Sequence, residues 1–127
     1  YGIVVVMIEH RTGLEQAERI LAVPGVDCVF VGPYDLSASL GIAGDFEHPT
    51  MLEAQHRLVA AARAAGVAAG IHVVHPSADQ VKRRLMEGFT FVAFGVDQRF
   101  LGAPCREAVP QLRALAGGSG AAERRAG

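Results

Sequence analysis

The 127-residue chain has no tryptophan, two tyrosines, six phenylalanines and one lysine, and its twelve basic residues are balanced by thirteen acidic ones. That leaves no basic surface interleaved with aromatics, so nucleic acid is excluded as a partner. Long apolar runs are also missing. Gly2–Ile8 and the alanine-rich stretch from Ala60 to Ala69 stop well short of the roughly 20 residues a membrane-spanning helix needs. The only cysteines, Cys28 and Cys105, are isolated, with no CxxC and no Cys/His cluster. They read as reduced thiols, which points to the cytoplasm. There is no initiator methionine and no signal-peptide pattern at the start, so the chain reads as a piece of something longer.

With 50% hydrophobic and 20% charged residues, the sequence suits one ordinary globular domain. Gly2–Ile8 is dominated by valine and isoleucine, is apolar on both faces, and reads as a strand buried on both sides of a parallel sheet; Val26–Val31, Val67–Val74 and Phe89–Val96 read as the second, third and fourth strands. Helical spacing follows each. Thr12-Gly-Leu-Glu15, Thr50-Met-Leu-Glu53 and Ser77-Ala-Asp-Gln80 read as capping boxes opening three helices. Gly66 and Gly88 read as helix stops. A fourth helix is expected from about Pro104 to Ala116, broken or kinked at Pro110. The connection from Gly32 to Pro49 is 18 residues long, where 2 to 6 is usual between strand and helix, so it should carry function or a small helix of its own.

Four strands alternating with four helices define an α/β fold of parallel βα units with right-handed crossovers. A (β/α)8 barrel takes roughly 250 residues, so four units make about half of one. A small open doubly wound sheet of the flavodoxin kind is the alternative, and the pattern alone does not separate them. Residues 1–116 form the expected folded part, and the glycine- and alanine-rich residues 117–127 are expected to be a disordered tail.

Glu9 directly follows the first strand and Asp35 follows the second, so either fold sets both at the C-terminal edge of the sheet on neighbouring strands, where such folds place their sites. Two carboxylates with positions left for water and substrate suit a hard divalent cation such as Mg²⁺ or Mn²⁺. Each acid taken singly also reads as a solvated loop residue. Among the histidines, His72 lies near the end of the third strand and either faces a ligand or is a hydrogen-bonded rim residue. His10, His48, His56 and His75 read as loop or helix-surface positions, and none has HExxH-like spacing for zinc. Asp97 reads as a cap of the last helix.

Met7-Ile-Glu9, Ile20-Leu-Ala-Val-Pro-Gly-Val-Asp27, Val29-Phe-Val-Gly-Pro-Tyr-Asp-Leu-Ser37, Ser39-Leu-Gly41, Gly70 and Gly88-Phe-Thr-Phe-Val-Ala-Phe-Gly-Val-Asp97 together resemble the metal-dependent pyruvate aldolases of the HpcH/HpaI family. The likeness extends to about Leu115. Its most specific feature is Gly-Pro-x-Asp-Leu-Ser with a glutamate 26 positions before the aspartate. The resemblance implies a TIM (β/α)8 barrel of which this chain supplies strands five to eight. It implies that Glu9 and Asp35 ligate a divalent cation (Mg²⁺ or Mn²⁺, with Co²⁺ or Zn²⁺ as further candidates), and that the backbone amides of Tyr34 and Asp35 hold the pyruvate carboxylate. The implied reaction is reversible retro-aldol cleavage of 4-hydroxy-2-oxo or 2-keto-3-deoxy acids to pyruvate and an aldehyde. Full-length relatives of this kind are oligomers, often hexamers, so a homo-oligomer is implied too.

The sequence also departs from that pattern. Many members carry a substrate-touching glutamine where this chain has Met7. The family's catalytic histidine, its supporting aspartate and its arginine belong to the first half of the barrel, so no catalytic residue is assigned here and the chain alone is expected to be inactive. A Schiff-base aldolase would need a lysine at the substrate, and Lys82 reads as the polar face of a helix. A citryl- or malyl-CoA lyase-like enzyme and a non-catalytic half-barrel serving binding or assembly are the competing readings.

Overall fold

The computed structural model describes residues 2–123, with side chains as far as residue 116. The elements run β1 (Val5–Ile8), α1 (Arg11–Glu15), α2 (Ala17–Leu21), β2 (Cys28–Val31), α3 (Pro33–Ser39), α4 (Pro49–Ala65), β3 (Ala68–Val73), α5 (Ala78–Met86), β4 (Phe91–Phe94) and α6 (Asp97–Glu123). All four strands are parallel and lie in chain order β1-β2-β3-β4. The fold is therefore α/β with consecutive βα units, as the alternation of strand and helix patterns predicts. The chain forms two compact units, one ending at Phe94 and one beginning at Gly95.

Strand alternation divides the first unit into two faces. Ile8, Val29, Val31, Ala69 and Ile71 point to the helices and pack with Leu14, Leu21, Leu36, Met51 and Leu58 in one buried cluster. The opposite face carries a row of paired residues running across the whole sheet, Met7, Phe30, Gly70 and Phe91. Phe30 and Phe91 meet edge to face at 5.4 Å between ring centres, across Gly70. A β-carbon at Gly70 would come within 2.5 Å of the Phe30 ring and 3.0 Å of the Phe91 ring, so only glycine fits between them.

Helix ends follow the sequence in some places and not in others. Gly66 takes the left-handed conformation that closes α4, Gly88 has φ 98° just beyond α5, and the Ser77 hydroxyl accepts the Gln80 N–H at the start of α5. The other two capping boxes are displaced. His10 caps α1 by accepting the Thr12 N–H on Nδ1 at 3.2 Å, and His48 caps α4 by accepting the Thr50 N–H at 3.2 Å, with Pro49 in the first turn. An imidazole nitrogen two residues ahead of the threonine does the work of a cap hydroxyl, and proline in the first helical turn fits its lack of an N–H. The first helix is also two short helices, interrupted at Gln16.

The strands are shorter than the apolar runs that announce them. The long connection does contain a small helix, α3. In the second unit α6 continues through Pro104 and Pro110, so the expected break at Pro110 is absent. Each proline forfeits one intrahelical bond, and the alanine-, leucine- and arginine-containing turns around them are good helix formers. Of the tail expected to be disordered, residues 117–123 belong to α6, and residues 124–127 lie outside the described residues.

Candidate functional site

The C-terminal edge of the sheet is built where β1 and β2 end together. Ile8 pairs with Val31, and the next residues continue the pairing as the Gly32 N–H donates to the Ile8 carbonyl at 3.2 Å. Glu9 and Gly32 are thereby neighbours. Gly32 is buried while Glu9 is exposed. A β-carbon on Gly32 would stand 2.8 Å from Glu9 Cβ, 3.0 Å from Glu9 Oε2 and 3.5 Å from Met7 Sδ. The missing side chain at Gly32 is what lets the Glu9 carboxylate lie against the turn that leads to Asp35.

That turn is held from several sides. Pro33 starts α3, whose N-cap Gly32 provides no side-chain cap, and Asp35 is the acid of its first turn. The first N–H groups of a helix have no partner within it, so the Tyr34 and Asp35 amides start α3 without one. Leu36 and Ser37 are fully buried. The Ser37 hydroxyl donates to the Tyr34 carbonyl at 2.8 Å and accepts the Gly44 N–H at 3.0 Å. The Ser39 hydroxyl donates to the Leu36 carbonyl at 2.8 Å and accepts the Arg11 N–H at 3.0 Å, tying the segment after β1 to α3. Tyr34 is half-exposed and packs edge to face on Phe46, ring centres 4.7 Å apart.

Tyr34 and Phe46 also line a cavity of about 330 Å³, together with His72, His75, Gln80 and Arg84. Glu47, on its rim, receives both Nη1 and Nη2 of Arg83 at 2.9 and 2.7 Å. This pairing holds the Glu47 carboxyl below the usual carboxylate range. Arg84 donates to Gln55 Oε1 at 2.9 Å and to Glu87 Oε2 at 2.7 Å. Ser37 and Ser39 enter the sequence reading only inside the family motif, and Arg84 does not enter it. The hydrogen bonds that the three side chains make are seen only in the folded chain. Lys82 is exposed on α5. Asp97 accepts the Gln98 N–H at 2.7 Å at the start of α6. Among the described residues no group of three or more His, Cys, Asp or Glu is gathered as a metal cage, and no helix is long and apolar enough to cross a membrane.

Four parallel βα units with an acid after each of the first two strands describe part of an α/β barrel with its site at the C-terminal rim. The model of the HpcH/HpaI aldolase/citrate lyase family matches residues 2–104, and the chain belongs to that family. It is 42% identical over 109 residues to the hydroxypyruvate/pyruvate aldolase of Paraburkholderia phytofirmans, a match covering 86% of this chain and 41% of the relative. It is 45% identical over 92 residues to the 2-keto-3-deoxy-L-rhamnonate aldolase of Klebsiella pneumoniae, covering 72% of this chain and 34% of the relative. A crystal structure of an HpcH/HpaI aldolase/citrate lyase family protein from Burkholderia cenocepacia superimposes with a TM-score of 0.80 at 39% identity, over 87% of this chain and 42% of that one. The chain thus spans about two fifths of the length of the relatives it matches.

Proposed function

We propose that this chain is the metal- and carboxylate-binding half of a pyruvate aldolase barrel, strands five to eight, which cleaves 4-hydroxy-2-oxo acids to pyruvate and an aldehyde. The observation that carries the reading is the bare Cα of Gly32, which seats the Glu9 carboxylate beside the turn that bears Asp35. Two exposed carboxylates on adjacent strand ends fit a hard divalent cation, Mg²⁺ or Mn²⁺, that keeps several waters. When bound, such a cation supplies Lewis-acid polarisation of a 2-oxo group. Glu9 and Asp35 would hold it. The N–H groups of Tyr34 and Asp35 would orient the substrate carboxylate, favoured by the positive end of a helix start, and Met7 would present a thioether where a polar contact is expected of relatives. The proton-transfer residues come from the other half of the barrel. The cytoplasmic setting is supported by two unpaired thiols, Cys28 buried and Cys105 exposed.

The test joins residues 1–116 behind the first half of the P. phytofirmans aldolase and follows pyruvate release from a panel of 4-hydroxy-2-oxo acids. Release should vanish with EDTA, return with Mg²⁺ or Mn²⁺, and be abolished by Glu9→Gln and by Asp35→Asn in variants whose circular dichroism is unchanged. Release that survives EDTA, or cleavage of citryl- or malyl-CoA in place of the oxo acids, overturns the assignment.

A further inference from the structure

Two polar side chains are buried among the described residues, Ser37 at 0% exposure and Gln55 at 2%. Burying a hydroxyl costs free energy unless its hydrogen bonds are kept, and Ser37 keeps two. Its oxygen accepts the Gly44 N–H at 3.0 Å, and its single proton goes to the Tyr34 carbonyl at 2.8 Å. A serine that bonds a carbonyl one turn back is common on helices, but the second bond is not local to the helix. Gly44 lies in the connection between α3 and α4 and has φ 78°, with nothing within 4 Å of where its β-carbon would stand. The backbone angle, and not a lack of space, therefore calls for glycine there. Phe46 of the same connection packs on the Tyr34 ring. That stretch thus holds Tyr34 by its ring directly and by its carbonyl through Ser37.

The Tyr34 carbonyl and the Asp35 N–H are two ends of one planar peptide. A bond that fixes the carbonyl also fixes the direction of that N–H and the Cα from which the Asp35 carboxylate extends. It polarises the peptide as well, since hydrogen bonds in a chain strengthen one another. We propose that Ser37 is a positioning residue that sets Asp35: its hydroxyl relays the Gly44 N–H to the Tyr34–Asp35 peptide and holds the carboxylate where a cation would meet it. The consequence for the cation rests on the reading of Glu9 and Asp35 given above, and the setting of the peptide does not. Ser39 provides the contrast. Its hydroxyl makes the same pair of bonds, 2.8 Å to the Leu36 carbonyl and 3.0 Å from the Arg11 N–H, but the peptide it fixes joins Leu36 to Ser37 and carries no atom of Asp35.

The test records amide spectra of the metal-free 127-residue chain, followed by Mn²⁺ titrations. Ser37→Ala should move the Asp35 amide proton upfield as its peptide loses the polarising bond, and Ser39→Ala should move it far less. Ser37→Ala should also weaken Mn²⁺ binding by about tenfold or more, the scale of losing a group that orients a metal ligand. Ser37→Thr, which keeps the hydroxyl, should restore both readouts. If Ser37→Ala does not fold, Ser37→Cys takes its place, with a thiol that is a weaker donor. An Asp35 amide left in place, or moved equally by Ser39→Ala, overturns the proposal. So does parent-like Mn²⁺ affinity in Ser37→Ala, or a folded Ser37→Thr that binds no better than Ser37→Ala, because the hydroxyl is then not what sets the carboxylate. If the parent chain binds no Mn²⁺ while the Asp35 amide moves as expected, the cation reading falls and the setting of Asp35 stands.

Discussion

Replacing Gly32 by alanine is the sharpest probe of the site, because the geometry leaves its result little freedom. The new β-carbon would sit 2.8 Å from Glu9 Cβ, against a comfortable carbon–carbon separation of about 3.5–4.0 Å. Rotating the Glu9 side chain does not relieve this, since Cβ moves only with the backbone. The end of β1 or the start of α3 must therefore shift by roughly 0.7 Å or more. Gly32 has φ −91° and ψ 88°, conformations open to alanine, so the substitution also stiffens the unfolded chain, worth about 0.4–1 kcal/mol in the opposite direction. Overpacking costs about 1–3 kcal/mol, and the net expectation is a loss of about 1–2 kcal/mol.

The effect on cation binding should be larger in kind than in size. Glu9 Oε2 lies 3.0 Å from the added carbon, and metal–ligand distances tolerate only about ±0.2 Å. We predict Mn²⁺ affinity at least tenfold weaker, about 1.4 kcal/mol, measured by titration calorimetry on the 127-residue chain beside a denaturant melt. Gly2→Ala, where nothing lies within 4 Å, should change neither quantity. Parent-like affinity and parent-like stability together would refute the claim that Gly32 constrains Glu9. Lower stability with unchanged Mn²⁺ affinity would remove Glu9 from the cation site while leaving the packing argument standing.

Three further outcomes follow from the packing and charge. Arg84→Ala removes the donor to Oε1 of Gln55, which is 2% exposed and already has an unpartnered Nε2, and it breaks an ion pair to Glu87 whose side chains are 11 and 17% exposed. A loss of about 2–3 kcal/mol is expected in urea melts, and a loss below about 0.5 kcal/mol would contradict the network. Glu47, held below its ordinary value near 4.5 by Arg83, contributes stability that is complete above that value and is lost as the pH falls through its lower folded value. Glu47→Gln should therefore flatten the pH dependence of the melting midpoint on the acid side of pH 4.5 and leave its shape at pH 7 unchanged; an identical acid limb in both proteins would show the pair to be inert. Burial pushes the Cys28 thiol up, and its Sγ donates to the Val29 carbonyl at 3.3 Å, whereas Cys105 is exposed. An aromatic disulfide reagent should titrate one thiol in the native chain and two after unfolding, and two rapid native equivalents would contradict the burial of Cys28.

The four strands and the helices between them are legible because Val, Ile and Phe cluster in short apolar runs, although β2 alone is buried at every residue while β1 and β4 are largely exposed or half-buried, and the Gly66 and Gly88 stops are read from glycine alone. The caps at His10 and His48 are not legible by the same rule. The usual cap residues are Ser, Thr, Asp and Asn, and each histidine stands two positions before a threonine that looks like the better candidate. The Pro49 that follows His48 is the one sequence signal that marks the true start of α4. At the site, Gly32, Pro33, Tyr34 and Asp35 are legible because they are contiguous. The contact of Gly32 with Glu9 depends on the β1–β2 register, and so does the Ser39 link to Arg11. Arg84 and Gln55 are 29 residues apart, and no local pattern joins an arginine on α5 to a glutamine buried on α4.

The position of Glu9 explains why pairing with the other half of a barrel and cation binding should be coupled. Glu9 follows an outer strand, and among the described residues the neighbours that fix it lie on the β2 side: the Gly32 main chain and, through Arg11, Ser39. Among the described residues no strand pairs with the other side of β1. Asp35 by contrast stands on a helix whose Leu36 and Ser37 are fully buried, and it is held whether or not the sheet continues. Of the two carboxylates, one is preorganised by the fold of this chain and the other is anchored on one side only. A strand paired to that side of β1 would restrict Glu9 at no cost to Asp35, and ligand preorganisation is where affinity is gained without new contacts. The same cation should therefore bind more tightly when the first half of the P. phytofirmans barrel is paired with residues 1–116 than to residues 1–116 alone, and by linkage the cation should favour that pairing by the same factor.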